Sequence, residues 1–369
     1  MAKPIPALTG LRAIAACWVL VGHFSSYLYE QFGLPHGTLL DPLLESAYVG
    51  VDLFFVLSGF LIAHNYLGEW QMSLRNIANF LSKRIARLYP VYLLATVCAS
   101  SLYLYADLTG HRFHHETGHN LTYQSFFLNV FALQELIPAP SLDGPAWSVS
   151  CEFVAYFVFP LIAVVINRMR KGKWLLPVIA ILLTLLTYQQ EFPIVNPHII
   201  QVLGEFTLGI CTYKIYAEHS YLLNSISPMM LNSLSIVGFI VTICCGYISA
   251  SEYHAALALS SAICLLANCR EVSQRLWLSR PMFVRLGLWS YSIYLVHRLI
   301  QNVTSGLGSL DTNNIIGNAA IFITLIALPI LLGSLIYKYV EVPGRQILLM
   351  AMGRFLNKSP INSGAPISN

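Results

Sequence analysis

Apolar runs of the length that crosses a bilayer recur along this chain, and they leave little room for a soluble fold. A spanning helix takes roughly 20 mostly apolar residues. Candidate runs lie at residues 9–28, 47–66, 88–107, 147–166, 174–189, 198–216, 229–250, 253–269, 286–303 and 315–339. Only 10% of the 369 residues are charged and 56% are hydrophobic, whereas soluble domains carry roughly 25% charge. A water-soluble globule cannot cover itself with so few charges. The expected fold is therefore an all-α integral membrane protein, a bundle of about ten transmembrane helices.

The basic residues orient the bundle. With the N-terminus inside, 18 of the 21 lysines and arginines fall on one side. Only Arg112 lies in an outer loop, and Arg12 and Arg298 lie within spans. Positive charge is retained on the cytoplasmic side, so both termini are expected to be cytoplasmic. Residues 1–345 read as one multi-spanning membrane domain, and 346–369 as a cytoplasmic amphipathic segment with a polar, disordered tail. Arg12 interrupts the start of the first apolar run and no small-x-small site follows, so no cleavable signal is expected. The eight cysteines sit in or beside apolar runs without CxxC spacing, which predicts neither a disulfide framework nor a zinc site.

Ionisable side chains inside spans are costly and mark function by default. Arg12 and His23 are 11 positions apart, within about 20° of three full helical turns and roughly 16 Å apart along the axis. They share a face, Arg12 toward the cytoplasm and His23 toward the outside. The alternating topology puts Asp52, Glu152 and His297 at an outer depth similar to that of His23, and Glu205 near mid-depth. Lys83, Arg84 and Arg87 gather at the cytoplasmic side, with the two arginines three apart on one helix face. Arginine forks match phosphate oxygens, so Arg84 and Arg87 read either as a phosphate clamp or as topology charges near lipid headgroups. "HETGH" at His115–His119 matches the spacing of a helical zinc-protease motif, but Gly118 and the polar surroundings argue against that helix, and no metal is expected.

This pattern suits a two-sided reaction. A phosphate-bearing donor docks at the cytoplasmic mouth, and an acceptor hydroxyl approaches from outside, where neutral His23 acts as general base. Asp52 or Glu152 on the other imidazole nitrogen sets its tautomer.

The segments "ALTGLRAIAACWVLVGHF", "VGVDLFFVLSGFLI", "RIARLYPVY", "WSVSCEFVAYFVFP", "SYSIYLVH" and "VEVP", in this order, resemble the acyltransferase 3 family of multi-spanning acyltransferases over nearly the whole chain. The resemblance implies an enzyme of the bacterial inner (plasma) membrane. It takes an acyl group, usually acetyl from acetyl-CoA, to a hydroxyl of a sugar in a surface or exported polysaccharide or glycolipid. It implies Arg12, Arg84 and Arg87 on the CoA donor, His23, Glu152, Asp52 and His297 as the catalytic set, and Glu341 with Pro343 as the C-terminal E-x-P. Acetyl-CoA is then a substrate, and no bound cofactor is expected. Expected partners are that donor, a glycan or glycolipid acceptor and membrane lipids, with no nucleic acid. Two positions depart from the family pattern, Phe153 where many members carry a second acid, and Arg298 where His-x-Pro is common. The extra hydrolase-like domain of some relatives is not expected. Two other readings stay open on the residues alone. One is a proton-coupled transporter of a lipid-linked sugar or small anion, although no matched pair of broken helices is evident. The other is an O-acyltransferase acting on a lipid or a secondary metabolite.

Overall fold

A computed structural model describes residues 3–32, 48–110, 121–169, 196–248, 253–270, 277–304 and 314–358, with single positions at 41, 44, 46, 178 and 181–182. No strand occurs among the described residues. The helices are α1 (Pro6–His23), α2 (Ser25–Phe32), α3 (Tyr48–Tyr66), α4 (Leu74–Thr109), α5 (Tyr123–Val130), α6 (Ala146–Arg168), α7 (Pro197–Ser225), α8 (Pro228–Ile248), α9 (Tyr253–Asn268), α10 (Pro281–Thr304), α11 (Ile315–Ile336) and α12 (Val342–Lys358). A π-helical turn, Tyr337–Glu341, joins the last two.

Local chemistry explains the helix ends. Pro6 opens α1 where a missing N–H costs no helical bond. The Ser73 side chain caps α4 by accepting from the Asn76 amide at 3.2 Å. At the other end of α4, Gly110 takes the left-handed conformation, φ 70°, and bonds back to Ala106. With 36 residues, α4 is about 54 Å long and outreaches a hydrocarbon core of about 30 Å. It begins well before the expected span 88–107, so "RIARLYP" and that span share one continuous helix, with Arg84 and Arg87 on it as their spacing predicts.

By length and apolarity, α1, α3, α4, α6 and the continuous run Ile315–Arg354 can cross a membrane. The pair α7–α8 bends by 114° and adds one more if it crosses as a single broken span. The remaining expected spans at 253–269 and 286–303 form α9 and α10, one short and the other carrying Arg285, His297 and Arg298. The expected span 174–189 and the His115–His119 motif lie outside the described residues, positions 178 and 181–182 apart. Outward faces are apolar where lipid is expected. Phe157, Leu161 and Val165 make an exposed stripe on α6, and Ile236, Val237 and Ile240 another on α8.

Lipid tails are as apolar as leucine, so helix association relies on close packing. An added Cβ on Gly59 of α3 falls 1.9 Å from the Phe206 carbonyl oxygen of α7, and one on Gly209 falls 2.0 Å from the Val56 oxygen. The two glycines are reciprocal, each admitting the other helix's backbone. The same device joins α1 to α10, where a Cβ on Gly287 falls 1.8 Å from the Thr9 oxygen. Beside the α3–α7 crossing, Phe80 and Phe159 pack with ring centres 4.8 Å apart, and Trp70 meets Phe159 edge-on at 5.1 Å. Gly59→Val and Gly209→Val each force these backbones apart. Overpacking of this kind costs about 1–3 kcal/mol, so both variants are expected to lower the melting temperature of the detergent-solubilised protein. An unchanged melting temperature in both contradicts the crossing.

Candidate active site

A cleft of about 720 Å³ opens between α1, α3, α4, α6 and α10. Its polar lining is Arg12 from α1, Ser58 from α3, Arg84 and Arg87 from α4, Ser148, Glu152 and Tyr156 from α6, and Ser290, Tyr291 and Tyr294 from α10. Phe54, Phe55, Leu57, Leu88 and Val149 make its apolar walls. Three basic residues and one acid thus share one concavity, although topology alone assigned Glu152 and the arginines to opposite depths.

Each polar group is held by neighbours on its own helix or on a facing one. Arg84 Nη2 donates to Tyr66 Oη at 3.1 Å, and its guanidinium lies 5.3 Å from the Tyr66 ring centre and 5.8 Å from that of Phe80. Aromatic faces attract such a planar cation, and they hold it while its buried Nε has no hydrogen-bond partner. Glu152 Oε1 accepts from Ser58 Oγ at 2.7 Å and from the hydroxyl of Tyr156, one turn further along α6. Arg12 feels the charges of Arg87, Glu341 and Glu152. Glu341, on the π-helical turn, is buried and accepts from Ser292 Oγ at 2.7 Å. Single π turns recur at functional sites, and this one turns its acid toward the arginines of the cleft.

The two histidines meet. The rings of His23 and His297 pack edge to face with centres 4.8 Å apart. His23 Nδ1 lies 2.8 Å from the Val19 carbonyl oxygen, and His297 Nδ1 bonds the Tyr294 carbonyl oxygen. A carbonyl only accepts, so each Nδ1 carries hydrogen and each neutral ring keeps its lone pair on Nε2. His297 Nε2 is buried without a hydrogen-bond partner. Tyr294 connects the pair to the cleft. Its ring lies 5.7 Å from that of His297, and its hydroxyl lies 3.0 Å from Ser148 Oγ within the cleft lining.

Asp52 is not part of either group. Its Oδ1 accepts from Gln201 Nε2 at 2.7 Å, and its Oδ2 lies 3.5 Å from His254 Nδ1. Asp52 and Ser58 are six positions apart on α3, about 120° in phase. The face that gives Ser58 to the cleft therefore turns Asp52 toward α7 and α9. Glu205, read at mid-depth, belongs to the same buried set.

Arg298 fills its unusual position with a network. Its Nη1 donates to Gln301 Oε1 at 2.5 Å, and Gln301 Nε2 donates to the His23 carbonyl at 2.5 Å. Beside it, Asp143 precedes α6 and is 1% exposed, with neither carboxylate oxygen hydrogen-bonded. Burial pushes the Asp143 carboxyl up to about 8, and the positive charge of Arg298 holds it from rising further. Sequence reasoning singled out neither Ser58, Tyr156 and Tyr294 nor the buried Asp143 on which the charge of Arg298 acts. Tyr156 and Tyr294 carried a usable signal: Tyr156 follows Glu152 by four and Tyr294 precedes His297 by three, each pair on one helix face.

Residues 5–338 match the family described as "Acyltransferase domain". The chain is 25% identical to the acyltransferase MdmB of Streptomyces mycarofaciens over 93% of its own length and 92% of that protein. It is 26% identical to a provisionally named O-acetyltransferase of Staphylococcus aureus (strain COL) over 93% of its length, and spans 57% of that relative. A protein of the picA locus of Rhizobium radiobacter is 32% identical over 41% of this chain and 78% of its own length. No solved structure matches. With a multi-helical apolar bundle, an arginine-lined cleft and a family match from residue 5 to residue 338, the chain belongs to the acyltransferase 3 family of membrane acyltransferases.

Proposed function

We propose that the protein transfers an acetyl group from cytoplasmic acetyl-CoA to a sugar hydroxyl of an exported polysaccharide or glycolipid in the bacterial inner membrane. The observation that carries this reading is the continuity between the arginine-lined cleft and the histidine pair through Tyr294. Arg84 and Arg87, with Arg12 deeper on α1, receive the donor's phosphates, because guanidinium forks match phosphate oxygens bidentately. The apolar walls beyond them suit the thin pantetheine arm, which brings the thioester toward the histidines.

His23 is the general base. Its Nδ1–H is tied to the Val19 carbonyl, so the lone pair on Nε2 accepts the proton of the acceptor hydroxyl. The hydroxyl oxygen attacks the thioester carbonyl carbon, the C–S bond breaks, and the CoA thiolate takes up a proton to leave as the free thiol. His297 backs the His23 ring, and the Arg298–Gln301 link holds the end of α1 that carries it. Glu152 balances the positive charge of the arginines from within the cleft. Membership of the acyltransferase family leaves the transporter reading without support. The staphylococcal relative's O-acetyltransferase name supports transfer to an oxygen, and the sugar acceptor rests on the family resemblance and on the outer-side position expected for His23.

Transfer of radiolabel from acetyl-CoA to surface glycan in membranes carrying the protein tests the reading. His23→Ala is expected to lower kcat about 10²–10⁴-fold, the usual contribution of a general base; unchanged transfer removes His23 from that role. Arg84→Ala loses charge-assisted bonds of about 1.5–3 kcal/mol and is expected to raise KM for acetyl-CoA roughly tenfold or more, with a smaller effect on kcat. A normal KM returns Arg84 to a topology charge. Asp143, on which the charge of Arg298 acts, also titrates. Asp143 stays protonated in the folded protein up to about 8 and ionises in the unfolded chain near about 4. The folded state then binds more protons than the unfolded one between these values, so stability falls as pH rises through that window. Asp143→Asn is expected to flatten the fall, read as melting temperature against pH in detergent.

A further inference from the structure

Away from the cleft, three helices turn polar side chains toward one another inside the bundle. Asp52 on α3, Gln201 and Glu205 on α7 and His254 on α9 are each at least nine-tenths buried. Gln201 Nε2 lies 2.7 Å from Asp52 Oδ1, 3.2 Å from Glu205 Oε1 and 3.1 Å from His254 Nδ1. His254 Nδ1 in turn lies 3.5 Å from Asp52 Oδ2. Both carboxyl groups thus share the Gln201 amide nitrogen, and the charge of Asp52 acts on Glu205.

The Gln201 amide alone does not suffice for the groups around it. A primary amide carries two hydrogens, and three neighbours crowd that one nitrogen. Asp52 Oδ2 and Glu205 Oε2 are buried with no hydrogen-bond partner. The charge acting on Glu205 is that of Asp52, which has the same sign. Two carboxyl groups thus face each other in an apolar bundle, a placement that costs several kcal/mol per ion unless positive charge is supplied.

A divalent cation supplies it. One +2 ion neutralises Asp52 and Glu205 together and takes the lone pair of a neutral His254. A half-turn of the Gln201 amide, which exchanges its nitrogen and oxygen in nearly the same space, points Oε1 at the centre in place of a crowded N–H. The resulting set of one imidazole nitrogen and three oxygens suits zinc among the common ions. The donor atoms of Asp52, Glu205 and His254 lie within 4.8 Å of one another. Bonds of about 2.0–2.2 Å close on such a set with side-chain shifts of under about 1 Å. No local spacing in the sequence announces the site, because its ligands come from three separate helices.

We infer that Asp52, Glu205, His254 and the Gln201 amide oxygen bind one zinc-type divalent metal ion. The ion ties α3, α7 and α9 together behind the cleft. Val51 and Phe55, which flank Asp52 on α3, line the cleft, so the ion braces that wall without touching substrate.

Purified full-length protein in detergent, stripped with a chelator, equilibrated with zinc chloride and desalted, tests the site. The expected result is about one zinc per chain by mass spectrometry, with a higher melting temperature than the stripped protein. Asp52→Asn and Glu205→Gln are each expected to weaken zinc binding at least about tenfold. The double variant His115→Ala/His119→Ala is expected to keep its zinc, which separates this site from the histidine-rich "HETGH" sequence. Zinc below about 0.1 per chain with an unchanged melting temperature overturns the proposal. So does zinc that survives both carboxylate variants, or stabilisation by acid alone without zinc uptake, which indicates a shared proton in place of the metal. Where a variant fails to fold, the zinc content of the wild-type protein decides.

Discussion

A polar group inside this bundle has no water to fall back on, and that constraint organises the rest of the structure. Each buried donor or acceptor finds a partner in the protein, awaits a ligand, or carries a cost of several kcal/mol. The cleft meets the requirement by mixing signs, with Glu152 and Glu341 close enough to offset Arg12 and Arg87. The histidine pair meets it by tying each Nδ1 to a carbonyl of its own helix. Some groups remain unpartnered, among them Arg84 Nε on a cleft-lining residue and His297 Nε2 in the histidine pair. Polar groups left short in an apolar setting are where binding energy is available.

Helix contact geometry decides which polar groups can meet. Gly59 and Gly209 let α3 and α7 approach until backbone touches backbone, and that approach fixes the rotation of α3 about its axis. Once α3 is set, Ser58 belongs to the cleft and Asp52 belongs to α7 and α9. Gly287 does the same for α10 against α1, and the consequence is the contact between His297 and His23. Close packing and site chemistry are therefore coupled through a few small residues, and a bulky side chain at one of these crossings rotates functional groups as well as loosening the bundle.

Legibility followed the same division. The helical class, most helix positions and the shared face of Arg12 and His23 could be read directly, since hydropathy and a 3.6-residue period are local properties. The meeting of His23 with His297 was readable as a shared depth only. A shared depth paired Asp52 with His23 because a one-dimensional reading carries no azimuth. Glu152 stood apart from the arginines because the expected span begins at residue 88, whereas the helix that carries them begins at Leu74. Arg298 read as a departure from a family pattern. In the structure it donates to Gln301, which bonds the end of α1, and its charge acts on the buried carboxyl of Asp143.

The sequence by itself determined that the chain lives in a bilayer, which residues are costly enough there to matter, and, through its ordered motifs, the acyltransferase family. Those conclusions rest on composition and on periodicity along a single helix. Tertiary structure alone decided the partnerships: arginines with Glu152 in one cleft, histidine against histidine, and Asp52 with Gln201, Glu205 and His254. The physical reason is that a partnership between helices depends on their relative rotation and separation, and these are set by interlocking side-chain volumes and by glycines at crossings far apart in the sequence.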